Sequence, residues 1–336
     1  MRFLITGLGS MGKRRIRNLQ YLKAGEIVGF DPRPDRNHEV EERYGIRTFP
    51  SFDDAMATDP DALIISTPPH LHMSYARIAA LNGKHFFTEA SVIADGMDEV
   101  IELCASKHIV AAPSCTMRFH PLVQTIKQTV DTGVIGNILT FTYHSGQYLP
   151  DWHPWEDYRT FYVSRRETGA CREIVPFELV WLTWVLGRVQ RVSCFKGKLT
   201  GLEADIDDVY QLLLQFQGGT LGHLMVDVIA RIPYRLSRFL SEQGVIEWNW
   251  ADKVVRVFSA ANGQWKEYHE PQGHVEIGYI HAETMYIQEM KHFLEAVRGE
   301  TTYMYTFTED KQLLETLYAA ERSAETAQHI VLNEEA

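Results

Sequence analysis

Phe3-Leu4-Ile5-Thr6-Gly7-Leu8-Gly9-Ser10-Met11-Gly12 sets an apolar run, three glycines at Gly-x-Gly-x-x-Gly spacing and the start of a helical stretch in direct succession. In that order each glycine has a task. Gly7 turns the chain, Gly9 lets the backbone approach a pyrophosphate, and Gly12 lets helix and strand pack closely. The loop formed by Gly7, Gly9, Ser10, Met11 and Gly12 would deliver phosphates to a helix amino terminus, where unpaired N–H groups and the helix dipole favour anions. Asp31 ends the next apolar run, 19 positions beyond Gly12. A carboxylate there accepts hydrogen bonds from ribose hydroxyls and repels a 2′-phosphate. The expected cofactor is NAD, with NADP as the alternative that Arg33, two residues on, admits.

Working outward, Phe3–Thr6, Ile27–Phe30, Ala62–Ser66, His85–Thr88 and Ile109–Ala112 are short runs rich in Ile, Val, Leu and Phe. They alternate with helical stretches at Met11–Leu22, His38–Tyr44, Leu71–Leu81 and Met97–Ser106. Such runs suit strands buried on both faces, and the alternation implies a doubly wound parallel sheet. Beyond a further helix at Pro121–Asp131 the texture changes. Strand patterns follow at Ile138–His144, Val189–Phe195, Val209–Phe216, Gly222–Ala230, Leu236–Leu240, Val245–Trp250 and Val254–Phe258. Gly218-Gly219 and Asn262-Gly263 read as hairpin turns. Two amphipathic helices close the chain, Ala282–Val297 and one opening on a capping box at Thr306-Phe-Thr-Glu309. The fold expected is α/β: a dinucleotide-binding Rossmann domain over residues 1–120, then an α+β domain with a mainly antiparallel sheet over 121–336, for substrate binding and oligomerisation.

The 336 residues suit two domains, and a formal charge of −11 without a basic stripe argues against a nucleic-acid partner or an anionic membrane. Four cysteines without CxxC pairs read as free thiols. An apolar strand at the very start leaves no room for a signal peptide, and no run is long enough to span a membrane. A cytoplasmic protein is expected. His70 and His72, two positions apart with no neighbouring carboxylate or thiol, make poor metal spacing, so no metal is expected.

Five further segments carry a resemblance. They are Thr67-Pro68-Pro-His-Leu-His72, Met117-Arg118-Phe-His-Pro121 with Gly133-Val-Ile-Gly136, Ser241-Glu-Gln-Gly244-Val-Ile-Glu247, Tyr286-Ile-Gln-Glu289-Met-Lys-His-Phe293, and the final helix. In this order they resemble the glucose–fructose oxidoreductase, inositol dehydrogenase and MocA oxidoreductases along almost the whole chain. The resemblance implies a hydride-transferring enzyme acting on a sugar, sugar acid or cyclic polyol, assembled as a homodimer or homotetramer. It also implies cofactor contacts from Thr67, Pro68, His72 and Glu89, with His72 touching the ribose or its own loop.

The chemistry departs from that pattern. The family's Glu-Lys-Pro triplet is replaced by Glu89-Ala90-Ser91, and alanine has no proton to give. Anchoring the second signature, Asp-x-Gly-x-His, on Trp184-Val-Leu-Gly187 puts Glu173 at the aspartate and Phe177 at the histidine. A dense polar and aromatic run, His144 to Arg159, is expected as a substrate-side loop suited to sugar recognition. Within it His153 is the expected acid/base, since its ordinary pKa lies near neutrality, with Tyr148 and Glu173 as further catalytic candidates. Arg118, His144, Asp151, Trp152, Arg159 and Arg172 are the substrate candidates. The altered triplet keeps two other readings open: an NAD-assisted lyase or glycosidase with transient sugar oxidation, and a non-catalytic NAD-binding sensor.

Overall fold

The computed structural model describes residues 1–152, 156–273 and 282–332. Its contacts divide the chain into two compact units, one made of residues 1–116 and 283–311, the other of 117–282 and 312–336.

The first unit is built on β1 (Arg2–Thr6), α1 (Ser10–Tyr21), β2 (Glu26–Phe30), α2 (Pro34–Tyr44), β3 (Arg47–Phe49), α3 (Phe52–Met56), β4 (Ala62–Ile65), α4 (His72–Leu81), β5 (His85–Thr88), α5 (Met97–Ala105) and β6 (Ala111–Pro113). The strands form one parallel sheet in the order β3-β2-β1-β4-β5-β6, the doubly wound arrangement expected. Phe3, Leu4, Ile5, Leu63, Ile64, Ile65, Phe86 and Phe87 are fully buried, as strands covered on both faces must be. Two elements of this unit escaped the sequence reading, β3 and α3. At three and five residues they are too short to show a period.

The second unit opens with α6 (Pro121–Asp131) and β7 (Ile138–Tyr148), followed by α7 (Cys171–Leu186), β8 (Val189–Gly197), β9 (Val209–Phe216), β10 (Leu221–Asp227), β11 (Ile229–Ser241), β12 (Gly244–Asn249), β13 (Val254–Ser259) and β14 (Gln264–His269). With β15 (Ile330–Val331) these strands make a nine-stranded sheet in the order β14-β13-β12-β11-β7-β10-β9-β8-β15. All described pairs in it are antiparallel except β7 with β10. Both expected hairpins are present, with Gly219 at φ +87° and Gly263 at φ +64°. The strand read as Gly222–Ala230 is in fact two. Asp227 Oδ1 accepts the backbone N–H groups of Ile229 (3.0 Å) and Ala230 (2.8 Å), which turns the chain and starts β11. One face of the sheet is covered by α7, where Trp181, Trp248, Tyr143 and Phe239 pack ring against ring.

The chain then returns to the first unit through α8 (Thr284–Val297). The expected single boundary near residue 120 therefore gains two further crossings, at 282/283 and 311/312. Amphipathic spacing identifies α8 as a helix with a buried face, but it carries no information about which sheet or helix covers that face. α9 (Phe307–Thr326) starts on the expected capping box: Thr306 N–H donates to Glu309 Oε2 at 2.8 Å and Glu309 N–H to Thr306 Oγ1 at 3.2 Å.

Candidate active site

In the first unit the glycine loop is shaped as its spacing demands. Gly7 has φ +91°, and a Cβ on it would stand 2.6 Å from the Ser66 carbonyl oxygen. A Cβ on Gly12 would stand 1.9 Å from the Gly7 carbonyl oxygen, so any other residue would push α1 off its strand. Gly9 is different: the nearest atom to its Cβ position is Arg36 Nη1 at 3.5 Å, which leaves the backbone open to an incoming group. Gly9 caps α1 without a side-chain hydrogen bond, and Ser10 and Met11 form its first turn, which holds no acidic residue. The turn has the form that a pyrophosphate-binding loop requires.

Asp31, the residue after β2, is almost wholly buried. Its Oδ2 accepts Leu8 N–H at 2.8 Å and its Oδ1 accepts Arg33 N–H at 2.9 Å. Oδ1 keeps a lone pair for a ribose hydroxyl, while Oδ2 takes a second hydrogen bond from a neighbouring cation. The Arg33 side chain is turned to Asp35, exposed to solvent. The cation beside Asp31 is instead Arg36, in the first turn of α2, with Nη1 3.4 Å from Oδ2. Only the contact of Arg33's backbone was within reach of the sequence argument; the helix phase of α2 decides the rest.

Thr67 and Pro68 lead into α4, and the Thr67 carbonyl accepts the Nε2–H of His72 at 2.8 Å. His72 is buried, and burial pushes its pKa down to about 4, so the ring is neutral and serves to hold this loop. Glu89 is engaged from within the unit. Arg15 grips it with two hydrogen bonds (2.7 and 2.8 Å), and Ser66 Oγ donates to it at 3.1 Å. The same guanidinium reaches Glu289 on α8 at 2.9 Å. Glu289 in turn accepts from Ser114 Oγ, Cys115 N–H and Thr116 Oγ1 at 3.0, 2.7 and 2.7 Å. Arg15 and Glu289 are fully buried, and the Arg15 guanidinium lies 4.5 Å from the Phe87 ring centre. Ala90, the residue in the family's lysine position, follows directly.

In the second unit Glu173 sits in the first turn of α7. Tyr162, in a short 3-10 turn (Tyr162–Ser164), donates its hydroxyl to Glu173 Oε1 at 3.0 Å. The other oxygen, Oε2, is buried with no partner among the described residues. Burial raises this carboxyl to about 7, against a smaller lowering by the tyrosine hydrogen bond. A group of that pKa exchanges a proton at neutral pH. Tyr162 was not singled out by the sequence, because an aromatic residue in a polar loop gives no sign of which carboxylate it meets.

The run from His144 to Arg159 is not one loop. His144 to Tyr148 belong to β7, because the strand continues past His144 in register with β10 and β11. His144 lies 2.6 Å from Asp227 Oδ2 through Nε2, with the Tyr234 hydroxyl at 2.7 Å. Tyr148 carries the Arg231 guanidinium 3.8 Å above its ring. Asp151 is exposed, whereas the indole N–H of Trp152 is buried without a partner among the described residues. His153 lies outside the described residues. Three arginines are committed elsewhere: Arg118 donates to the Val180 carbonyl at 3.1 Å, Arg159 pairs with Asp157 (2.7 Å) and Glu203, and Arg172 pairs with Glu321 (2.6 Å). No helix among the described residues is long and apolar enough to cross a membrane.

Residues 1–113 match the family model described as an oxidoreductase family with an NAD-binding Rossmann fold, and residues 123–247 match the GFO/IDH/MocA C-terminal domain. Levoglucosan dehydrogenase of Pseudarthrobacter phenanthrenivorans is 26% identical over 222 residues, 56% of this chain and 55% of that protein. UDP-N-acetylglucosamine 3-dehydrogenase of Acidithiobacillus ferrooxidans is 31% identical over 131 residues, 38% of this chain and 41% of that protein. The chain thus matches about half or less of the length of these curated relatives. Among solved structures, levoglucosan dehydrogenase in complex with NADH and L-sorbose superposes with a TM-score of 0.87 at 18% identity over 99% of both chains. The WlbA dehydrogenase from Bordetella pertussis, in complex with NADH and UDP-GlcNAcA, gives 0.81 at 20% identity over 100% of this chain and 99% of its own. At those identities the likeness establishes the fold.

Proposed function

The chain belongs to the GFO/IDH/MocA oxidoreductase family, and on that premise we propose that it is an NAD-dependent dehydrogenase of a hydroxyl group on a sugar or sugar derivative. The observation that carries this reading is Glu173: a carboxyl at the family's acidic position, raised to about 7, with one oxygen hydrogen-bonded and the other unpartnered among the described residues. The relatives, a levoglucosan dehydrogenase and a UDP-N-acetylglucosamine 3-dehydrogenase, support the substrate class.

When bound, the nicotinamide dinucleotide supplies the hydride acceptor for the carbinol carbon. The backbone N–H groups at the start of α1 would hold its phosphates, and Asp31 would take its ribose hydroxyls. Glu173 Oε2 receives the hydroxyl proton as the carbonyl forms, since Ala90 cannot. Tyr148 and His153 are the second-line candidates for that proton. The uncovered face of the nine-stranded sheet exposes Phe195, Leu213, Leu221 and Leu236, which favours a homodimer or homotetramer. Four free cysteines, with burial pushing Cys104 up to about 11, favour a reducing cytoplasmic setting.

The test is a spectrophotometric assay of nicotinamide reduction with NAD+ and a panel that includes levoglucosan and UDP-N-acetylglucosamine. Glu173→Gln is expected to lower turnover by about 10²–10⁴-fold with NAD+ affinity unchanged. Undiminished turnover in that variant would overturn the assignment. Ala90 favours one second reading, a redox-assisted elimination in which the hydride is returned. Sugar consumed without net reduced nicotinamide would select it.

A further inference from the structure

Resting on the reading of Glu173 as proton acceptor, we propose that Tyr162 is a positioning residue: it occupies Glu173 Oε1 and thereby assigns the substrate proton to Oε2 alone. The two oxygens of an ionised carboxylate are chemically equivalent, so only their surroundings can make one of them the acceptor. Here the surroundings differ sharply. Oε1 accepts the Tyr162 hydroxyl at 3.0 Å, and Oε2 is buried and unpartnered among the described residues.

The turn that carries Tyr162 is itself built against the start of α7. Gly169 packs so tightly on it that a Cβ there would lie 2.3 Å from both the Cα and the carbonyl oxygen of Val163. The buried Thr168 hydroxyl donates to the Tyr162 carbonyl at 2.8 Å. Ala170 then takes φ +55°, ψ −132°, a conformation costly for any residue with a Cβ, immediately before the helix. These three consecutive residues fix the tyrosine and the carboxylate relative to one another, which is what precise placement of a reacting group requires.

Charged neighbours do not account for the asymmetry. Arg172, beside Glu173 on α7, is paired with Glu321. Arg166 from the preceding segment is paired with Asp205 and Asp207. Tyr162 is the one group among the described residues that hydrogen-bonds the Glu173 carboxyl.

The experiment uses the whole chain labelled with carbonyl-13C at the glutamate side chains, with Glu173→Gln identifying the Glu173 resonance. Tyr162→Phe removes a single oxygen. It is expected to move the Glu173 titration upward by about one pH unit, because the lost hydrogen bond favoured the ionised form. With NAD+ and levoglucosan as the probe pair, the rising limb of the kcat–pH profile should move with it and kcat at pH 7 should fall about fivefold with KM little changed. Should Tyr162→Phe not fold, Thr168→Val is the substitute and should shift the resonance in the same direction. An unmoved Glu173 titration in a folded variant overturns the positioning role alone. Full turnover in Glu173→Gln overturns the reading beneath it.

Discussion

Glu178 Oε1 and Arg235 Nε are hydrogen-bonded at 2.8 Å, joining α7 to β11 inside the second unit. The carboxylate also accepts from Ser145 Oγ, Tyr143 OH and Trp181 Nε1 at 2.9, 2.7 and 3.2 Å. A charge so deeply buried is tolerable only with its cation and donors in place. It sets the height of α7 on the sheet, and so of Glu173 in the helix's first turn. Arg235→Met is expected to destabilise the protein by about 3–5 kcal/mol, because it strands the carboxylate. Glu178→Leu together with Arg235→Met should recover much of that loss. Urea unfolding at neutral pH measures both, and an unchanged midpoint for Arg235→Met would contradict the account.

Cofactor choice should divide between Asp31 and Arg36. NAD(H) is expected to bind more tightly than NADP(H), and Asp31→Ala should narrow the gap. Arg36→Ala should weaken NADP(H) more than NAD(H), whereas Arg33→Ala should leave the ratio nearly unchanged, since its side chain is turned to Asp35. Titration by protein fluorescence gives the constants. Equal affinities in the unmodified protein would remove the basis for the NAD preference.

Restoring the family's lysine is the direct test of where the proton goes. With Glu173 as acceptor, an ammonium group at position 90 has no transfer to perform, and Ala90→Lys is expected to lower turnover. A rise in kcat would return the proton work to that position. His153→Ala, measured in the same assay, should cost less than Glu173→Gln; the opposite order would reinstate the histidine.

Acid sensitivity should come in part from His72. Its folded pKa of about 4 lies below the ordinary 6.5, so the unfolded chain binds more protons between these values. Stability is therefore full above pH 6.5 and falls as pH drops toward 4, by about 3 kcal/mol from this residue. His120, pushed down to about 3 by burial and by Arg235, adds to the same trend. His72→Gln should flatten the dependence of unfolding free energy on pH over that window. An identical slope in the two proteins would show that the ring is not held neutral.

What the sequence made legible was whatever local spacing controls. Gly7, Gly12 and Asp31 act through the backbone within one βαβ unit, so their spacing predicts their geometry. The hairpin glycines and the Thr306–Glu309 box behave the same way. The harder features depend on side chains that meet across long stretches of chain. Arg36 displaces Arg33 because of helix phase, and Arg118 and Arg172 have partners that are 62 and 149 residues away. Reading His144 to Arg159 as a loop missed that β7 continues to Tyr148, because alternating polar and aromatic residues suit a half-exposed strand equally well.

The bond between Arg15 and Glu289 has a consequence for how the protein is made. Its partners are 274 residues apart, and both are fully buried. As the chain leaves the ribosome, the six strands of the first sheet are complete by Pro113, yet Arg15 is still without half of its counter-charge. That half arrives only when α8 is synthesised. The nucleotide-binding unit must wait through the translation of most of the second unit before its interior is electrostatically complete. A fragment cut after residue 116 would carry this deficit permanently, so any attempt to transplant the unit has to bring residues 283–311 along with it.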